Sequence, residues 1–301
     1  MISSRRLALT SLAAAGAYAM LPGAGQALAQ PAATLSWRHH PAGPSGFFRA
    51  PVLLSDASDA ILIDGGWTLS DGRALAEAIR ATGRRLRMIY VSQSDPDFYF
   101  SLSPIKAAFP EARVVAAPET LAAIRANVQS KLATWSPQLR ENGPQTLADI
   151  VMPEALDAPA LELGAERIEI VPAAGLQNRR YLWAPSLKAV FGGVLLFNRV
   201  HVWTADTQTR EARAAWVATL DAIAARDPAI VVAGHMTPDA PVDAAAIRYT
   251  RDYLLAFEEE LGRTADSAAL IAAMQARYPG LGMGIALEIG AKVAKGEMRW
   301  G

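Results

Sequence analysis

The architecture of this chain turns on Val91 to Leu102, VSQSDPDFYFSL. An apolar run, Leu86 to Val91, precedes it, interrupted only by Arg87, and reads as a buried strand. The segment that follows, Phe98 to Ala108, can form a helix once past Pro104. The stretch is therefore a loop at the carboxyl end of a strand. Ser92, Gln93, Ser94, Asp95 and Asp97 are crowded into it, and Pro96 stiffens the backbone in their midst. One reading is a capped helix start, with Asp95 or Asp97 accepting from free N–H groups. The other is a polar site at a sheet edge.

The second reading has a precedent. The stretch resembles the metal-binding loop of the metallo-β-lactamase superfamily, His-x-His-x-Asp-His after such a strand. Those positions fall on Gln93, Asp95, Asp97 and Phe98, and only the aspartate matches. Pro96-Asp97 and Tyr99-Phe100 resemble the Pro-Asp-His-Tyr-Phe run common in that superfamily. The resemblance implies a divergent member, an α/β four-layer αββα sandwich, whose metal site has been rebuilt or abandoned.

The amino-terminal residues read differently. Arg5-Arg6 precedes an uncharged, mostly apolar run from Leu7 to Leu21, and Ala27-Leu28-Ala29 follows. That pattern predicts a signal peptide over residues 1–29, cleaved before Gln30, and Ser4-Arg5-Arg6 resembles a twin-arginine signal. The expected location is periplasmic or secreted, with no membrane association after cleavage. Residues 30–301 suffice for one domain with one large core.

The chain has no cysteine, which excludes disulfides, thiolate ligands and thiol nucleophiles. Formal net charge is zero. The one tight basic cluster, Arg84-Arg85-Leu86-Arg87, reads as the solvated start of a strand, so nucleic acid is not an expected partner.

Residues 30–45 are rich in Pro, Ala and Gly and read as irregular, with His39-His40 a surface pair. Strands are expected at Phe47 to Leu54 and Ala60 to Ile63, the second closed by Asp64-Gly65-Gly66, which also resembles the superfamily. Leu69 to Ala81 has helical spacing and Gly83 is placed to end it. A strand at Val114 to Ala116 and a helix from Pro118 to about Leu132 continue the alternation that marks a layered α/β fold. Residues 134–160 read as loop, lid or linker. Four strands follow in hairpin order, from Leu161, Ile168, Arg180 and Lys188. Then come a helix over Glu211 to Ala225, a strand at Ile230 to Ala233, and a mostly helical tail.

Beyond the first loop, the resemblance implies three more ligand positions. They fall on Leu176, Gly193 and His235, and only His235, in Gly234-His235, keeps its type. Asp95, Asp97 and His235 remain as a His/carboxylate set for at most one divalent metal, zinc, iron or manganese. The bland alternative has the two aspartates capping or in salt bridges. Without a metal, Asp97 beside His235 is a candidate general base for water, hence the catalytic candidates. No Gly-x-Ser-x-Gly elbow supports a serine hydrolase. Gln93, with Asn198, His201 and Trp203 from FNRVHVWTAD, are the substrate-binding candidates. The expected function is a divergent hydrolase of an ester, lactone or lactam-type small molecule. The alternative is a non-catalytic periplasmic small-molecule-binding protein on the same fold.

Overall fold

The computed structural model describes residues 35–300, so the expected signal peptide lies outside the described residues. One sheet takes β1 (Ser36–His39), β2 (Val52–Ser55), β3 (Asp59–Ile63), β4 (Arg85–Val91), β5 (Arg113–Ala116) and β6 (Glu154–Ala155) in that order. Its first three strands are antiparallel neighbours, and from β3 to β6 the pairing is parallel. The second sheet is an antiparallel meander of β7 (Ala160–Leu163), β8 (Glu166–Pro172), β9 (Arg180–Ala184) and β10 (Ala189–Phe191). A short strand, β11 (Phe197–Asn198), lies outside it, and β12 (Ile230–Val232) adds parallel to β10. β13 (His235–Met236) pairs parallel with β11.

Helices α1 (Leu69–Ala81), α2 (Leu102–Ala108) and α3 (Pro118–Leu139) follow strands of the first sheet. Helices α4 (Arg210–Ala225), α5 (Ala245–Arg263), α6 (Ser267–Arg277) and α7 (Gly284–Ala294) belong to the second half. The result is the expected four-layer αββα sandwich around one continuous apolar core. Among the described residues, no helix is long and apolar enough to cross a membrane.

Local chemistry explains the boundaries. Leu86 is buried between exposed Arg85 and Arg87, and Ile89, Tyr90 and Val91 are all buried, so β4 runs from the surface into the core. α1 opens on a reciprocal cap, Thr68 Oγ1 accepting from Asp71 N at 3.1 Å and Asp71 Oδ2 from Thr68 N at 2.9 Å. It closes just before Gly83, whose φ of +66° suits a residue without Cβ.

Three segments differ from their sequence reading. The strand expected from Phe47 begins only at Val52, because Phe47 and Phe48 take positive φ after the turn Pro44–Gly46. Residues 36–39 are a strand rather than irregular, paired through Trp37–Leu54 and His39–Val52, and His39 and His40 are half-buried. Four residues are too few to show a period. α3 runs to Leu139, with Pro137 in its last turn, so the start of the expected loop, residues 134–139, is helix. That extension carries Trp135 to the site.

Candidate functional site

Asp95 and Asp97 do not cap. Asp95 precedes the 3-10 turn Pro96–Phe98 without a side-chain cap bond. The hydroxyl of Ser101, ahead of α2, accepts instead from Gly66 N at 2.6 Å. This ties the Asp-Gly-Gly turn to the loop, and Gly65 N donates to Phe98 O at 2.7 Å. The two aspartates are thereby freed for longer-range contacts.

Asp97 meets His235, as the sequence led us to expect: Oδ2 lies 3.2 Å from Nε2. They reach each other from the loop after β4 and from β13. The other ring nitrogen, Nδ1, is 2.9 Å from the carbonyl oxygen of Phe47. A neutral imidazole has one N–H and serves one of these acceptors, and a charged one serves both. Either way, no ring nitrogen is left bare toward a substrate. Phe197 stacks on the ring at 5.0 Å, with Phe47 and Phe98 at its edges. Burial pulls His235 below the ordinary imidazole range, against the raising influence of Asp97. Burial alone would raise Asp97, but the hydrogen bond and charge of His235, with Arg49, hold it below the usual carboxylate range.

Arg49 organises this cluster. It is fully buried. Its Nε donates to Asp97 O at 3.2 Å and lies 3.6 Å from Asp97 Oδ2. Nη1 donates to Gly234 O at 2.7 Å, and Nη2 to Asp64 Oδ2 at 3.4 Å. The guanidinium lies 3.5 Å from the centroid of the Phe98 ring, a cation–π contact in a desolvated place. Asp64 also accepts from Ser92 N at 2.7 Å and Ser92 Oγ at 2.9 Å. Burial still pushes its carboxyl up to about 6, against the opposing pull of Arg49 and Ser92. Sequence reasoning passed over Arg49. The signal was a single charge inside the apolar run Phe47 to Leu54, since such a charge needs a buried partner.

The donors do not fit the metal centre that the resemblance implies. Among the described residues, no three His, Asp or Glu side chains gather as a metal would need them. Asp97 is held by Arg49 and His235, whereas Asp95 turns to Lys131, with Oδ1 3.5 Å from Nζ. The proposed set of Asp95, Asp97 and His235 is thus divided between two ion-pair systems. Phe98 carries the Arg49 guanidinium where the motif has a histidine. At Gly193, one of the implied ligand positions, φ is +48° and an added Cβ would meet Ser92 Oγ at 2.9 Å, so a carboxylate there would strain the backbone and turn Ser92 from Asp64.

Two spaces adjoin these groups. One, of about 30 Å³, is walled by Phe47, Trp67, Phe98, Trp135, Trp203 and Trp300, with Asp97 and His235 beside it. It holds little more than one water. The other is a polar cleft of about 790 Å³ that includes Gln93, Asp95, Lys131, Leu176, Arg179 and Asp206. Asp95, Lys131 and Trp300 border both. Burial pushes Asp95 up to about 7, with the Asp206 charge adding and Lys131 and Arg179 opposing. Asp206 accepts from Trp203 Nε1 and Trp300 Nε1, each at 2.8 Å, and from Arg179 Nη2 at 3.3 Å.

The four substrate-binding candidates separate. Gln93 lines the cleft, and Trp203 lines the small cavity. Asn198 and His201 line neither. Asn198 donates to Pro241 O at 3.0 Å, and His201 Nδ1 is 2.9 Å from Tyr253 OH. Tyr253 lies on α5 and Pro241 in the loop between β13 and α5, so that segment packs toward α5 and the loop ahead of it. Lys131, Arg179 and Trp300 were missed because they lie in segments with no recognisable motif.

The chain carries the metallo-β-lactamase fold. Its structure is similar to that of a beta-lactamase domain protein from Burkholderia ambifaria, with TM-score 0.61 and 15% identity over 89% of this chain and 86% of that one. A metallo-beta-lactamase family protein from Thermus thermophilus gives 0.59 and 17% over 87% and 91%. A metallo-beta-lactamase from Pontibacter korlensis gives 0.54 and 15% over 75% and 97%. No protein-family model matches the sequence, and no curated protein does.

Proposed function

We propose that this chain binds a small polar organic molecule in the cleft and does not perform the metal-dependent hydrolysis associated with its fold. The observation that carries this reading is the Arg49 cluster. A buried guanidinium supplies the positive charge that Asp64 and Asp97 need, and His235 has an oxygen at each ring nitrogen. The residues best matched to the superfamily's site are thus bound to one another, which leaves no group among them to activate water. The cleft, by contrast, offers amides, hydroxyls and ions in a space suited to a small ligand.

A second reading rests on Asp95. Its carboxyl, pushed up to about 7, faces the cleft beside Lys131, and a carboxyl near neutrality can act as general acid or base. On that reading the protein is a metal-free hydrolase of esters, lactones or lactams. Purified protein incubated with a panel of these three classes, with and without a chelator, separates the readings. Binding without turnover is expected. Turnover above the water rate that Asp95→Asn abolishes overturns the binding-protein reading in favour of the hydrolase. Turnover abolished by the chelator shows that the donors have been misassigned.

A further inference from the structure

We propose that the cleft takes a molecule bearing a carboxylate, and that Arg179 pairs with it. This rests on the cleft being the ligand site. Arg179 is only 6% exposed, yet its Nη1 is buried with no hydrogen-bond partner. Its Nη2 already pairs with Asp206, which fixes the plane of the guanidinium. A guanidinium nitrogen is a strong donor, and leaving one buried and unpaired is costly. The residue lines the cleft, so an acceptor delivered there can relieve that cost.

The surroundings hold Arg179 in place before any ligand arrives. Ala173 N donates to Arg179 O at 2.9 Å, closing the turn that carries it. Neighbouring Asn178 donates to Gln93 Oε1 at 3.1 Å and Ser94 Oγ at 3.0 Å, pinning that turn to the loop after β4. A donor already ordered loses less freedom on binding.

Charge selects the ligand. Lys131, Arg179 and Arg299 line the cleft against two carboxylates, Asp95 and Asp206, so the formal balance favours one negative charge. Asp206 is engaged by Arg179 and two tryptophan N–H groups. A monoanionic carboxylate matches this balance, whereas a dianionic phosphate would face both aspartates with a surplus charge. Leu176, Met298 and Trp300 on the same walls offer apolar surface for the rest of the molecule.

The probe is phenylacetate, which has no bond for the protein to cleave, so the test reads binding whether or not turnover exists. Its neutral methyl ester and phenyl phosphate are the comparisons. Trp203 and Trp300, both bonded to Asp206, report occupancy through fluorescence. Phenylacetate should saturate, and the ester should bind about tenfold or more weakly, as expected for loss of one charge-assisted pair. Arg179→Gln should lose the preference for the acid, and Arg179→Lys should keep part of it, which guards against a Gln variant that fails to fold. Equal affinity for acid and ester in the wild type overturns the proposal. So does an Arg179→Gln variant that binds the acid as well as the wild type, or no saturation below about 10 mM. Tighter binding of phenyl phosphate would make the site a phosphate site instead. If the acid binds selectively but the enzyme panel shows turnover, the binding-protein reading fails while this proposal stands.

Discussion

Arg49 is the residue on which the altered site depends. Replacing it with Met keeps an apolar chain of similar length beside Phe98 but leaves Asp64 and Asp97 without their buried cation. Breaking a buried pair in this way costs about 3–5 kcal/mol, because the surviving charge stays desolvated. Urea unfolding of Arg49→Met should therefore show a loss of that order, and a loss below about 1 kcal/mol would place the cation's role elsewhere. Asp64 gives a pH test. Its folded carboxyl sits at about 6, above its ordinary 3.8. The native state therefore holds a proton that the unfolded chain has released, and this contribution is complete below the unfolded value and lost as pH rises through 6. Asp64→Asn removes that dependence. Relative to wild type, the variant should gain about 2 kcal/mol between pH 4 and 7, whatever its absolute stability. A difference that stays flat across that range would mean that Asp64 titrates normally.

At the scale of elements, the contact between α1 and the Ser101 turn ahead of α2 sets how closely the loop after β4 is held. Gly72, inside α1, makes this approach possible, since an added Cβ would stand 2.1 Å from Ser101 O. Helix propensity alone would make Gly72→Ala stabilising by about 1 kcal/mol. The clash is with backbone and must be relieved by moving a helix, so a net loss on the order of 1–2 kcal/mol is expected. Thermal unfolding checks the sign, and a higher Tm for the alanine variant would show that α1 moves freely. What was legible at this scale was what is encoded locally. The spacing of Leu69 to Ala81 and the glycine at 83 marked α1, whereas the Thr68–Asp71 cap that opens it emerged only from the structure. β11 and β13 were not legible, because each has two residues and exists only through its pairing with the other. Trp135 was not expected at the site, since Pro137 and the prolines after it suggested that α3 had ended. The meeting of Asp97 and His235 was legible through the resemblance of their loops. The partner that occupies His235 Nδ1, a carbonyl at Phe47, belongs to a positive-φ turn that no side-chain pattern announces.

For the whole molecule, two expectations concern how the chain meets its surroundings. Arg5-Arg6 and Ala27-Leu28-Ala29 predict an exported product beginning at Gln30. Amino-terminal sequencing of protein recovered from the periplasm or medium checks this, and a start at Met1 would contradict it. The other expectation is how the chain responds to metal. A tight site stabilises the folded state by mass action, by about 2.7 kcal/mol when the metal is at 100 times its Kd. For a chain of this size that is a shift of roughly 5–10 °C in Tm. Here Asp97 is paired with Arg49 and His235, Asp95 with Lys131, and Gly193 offers no ligand and holds a positive φ that a side chain would strain. To ligate, a cation would have to displace the buried guanidinium, and freeing Arg49 inside the core would offset the gain. Zinc, iron(II) or manganese(II) should then leave Tm within about 1 °C of the chelated protein. Elemental analysis after dialysis should find less than one equivalent of metal. Phe98→His alone should not restore binding, because it returns one ligand while Arg49 remains. Two zinc ions per chain in the dialysed wild type would mean that the Arg49 cluster is not the resting state of this site.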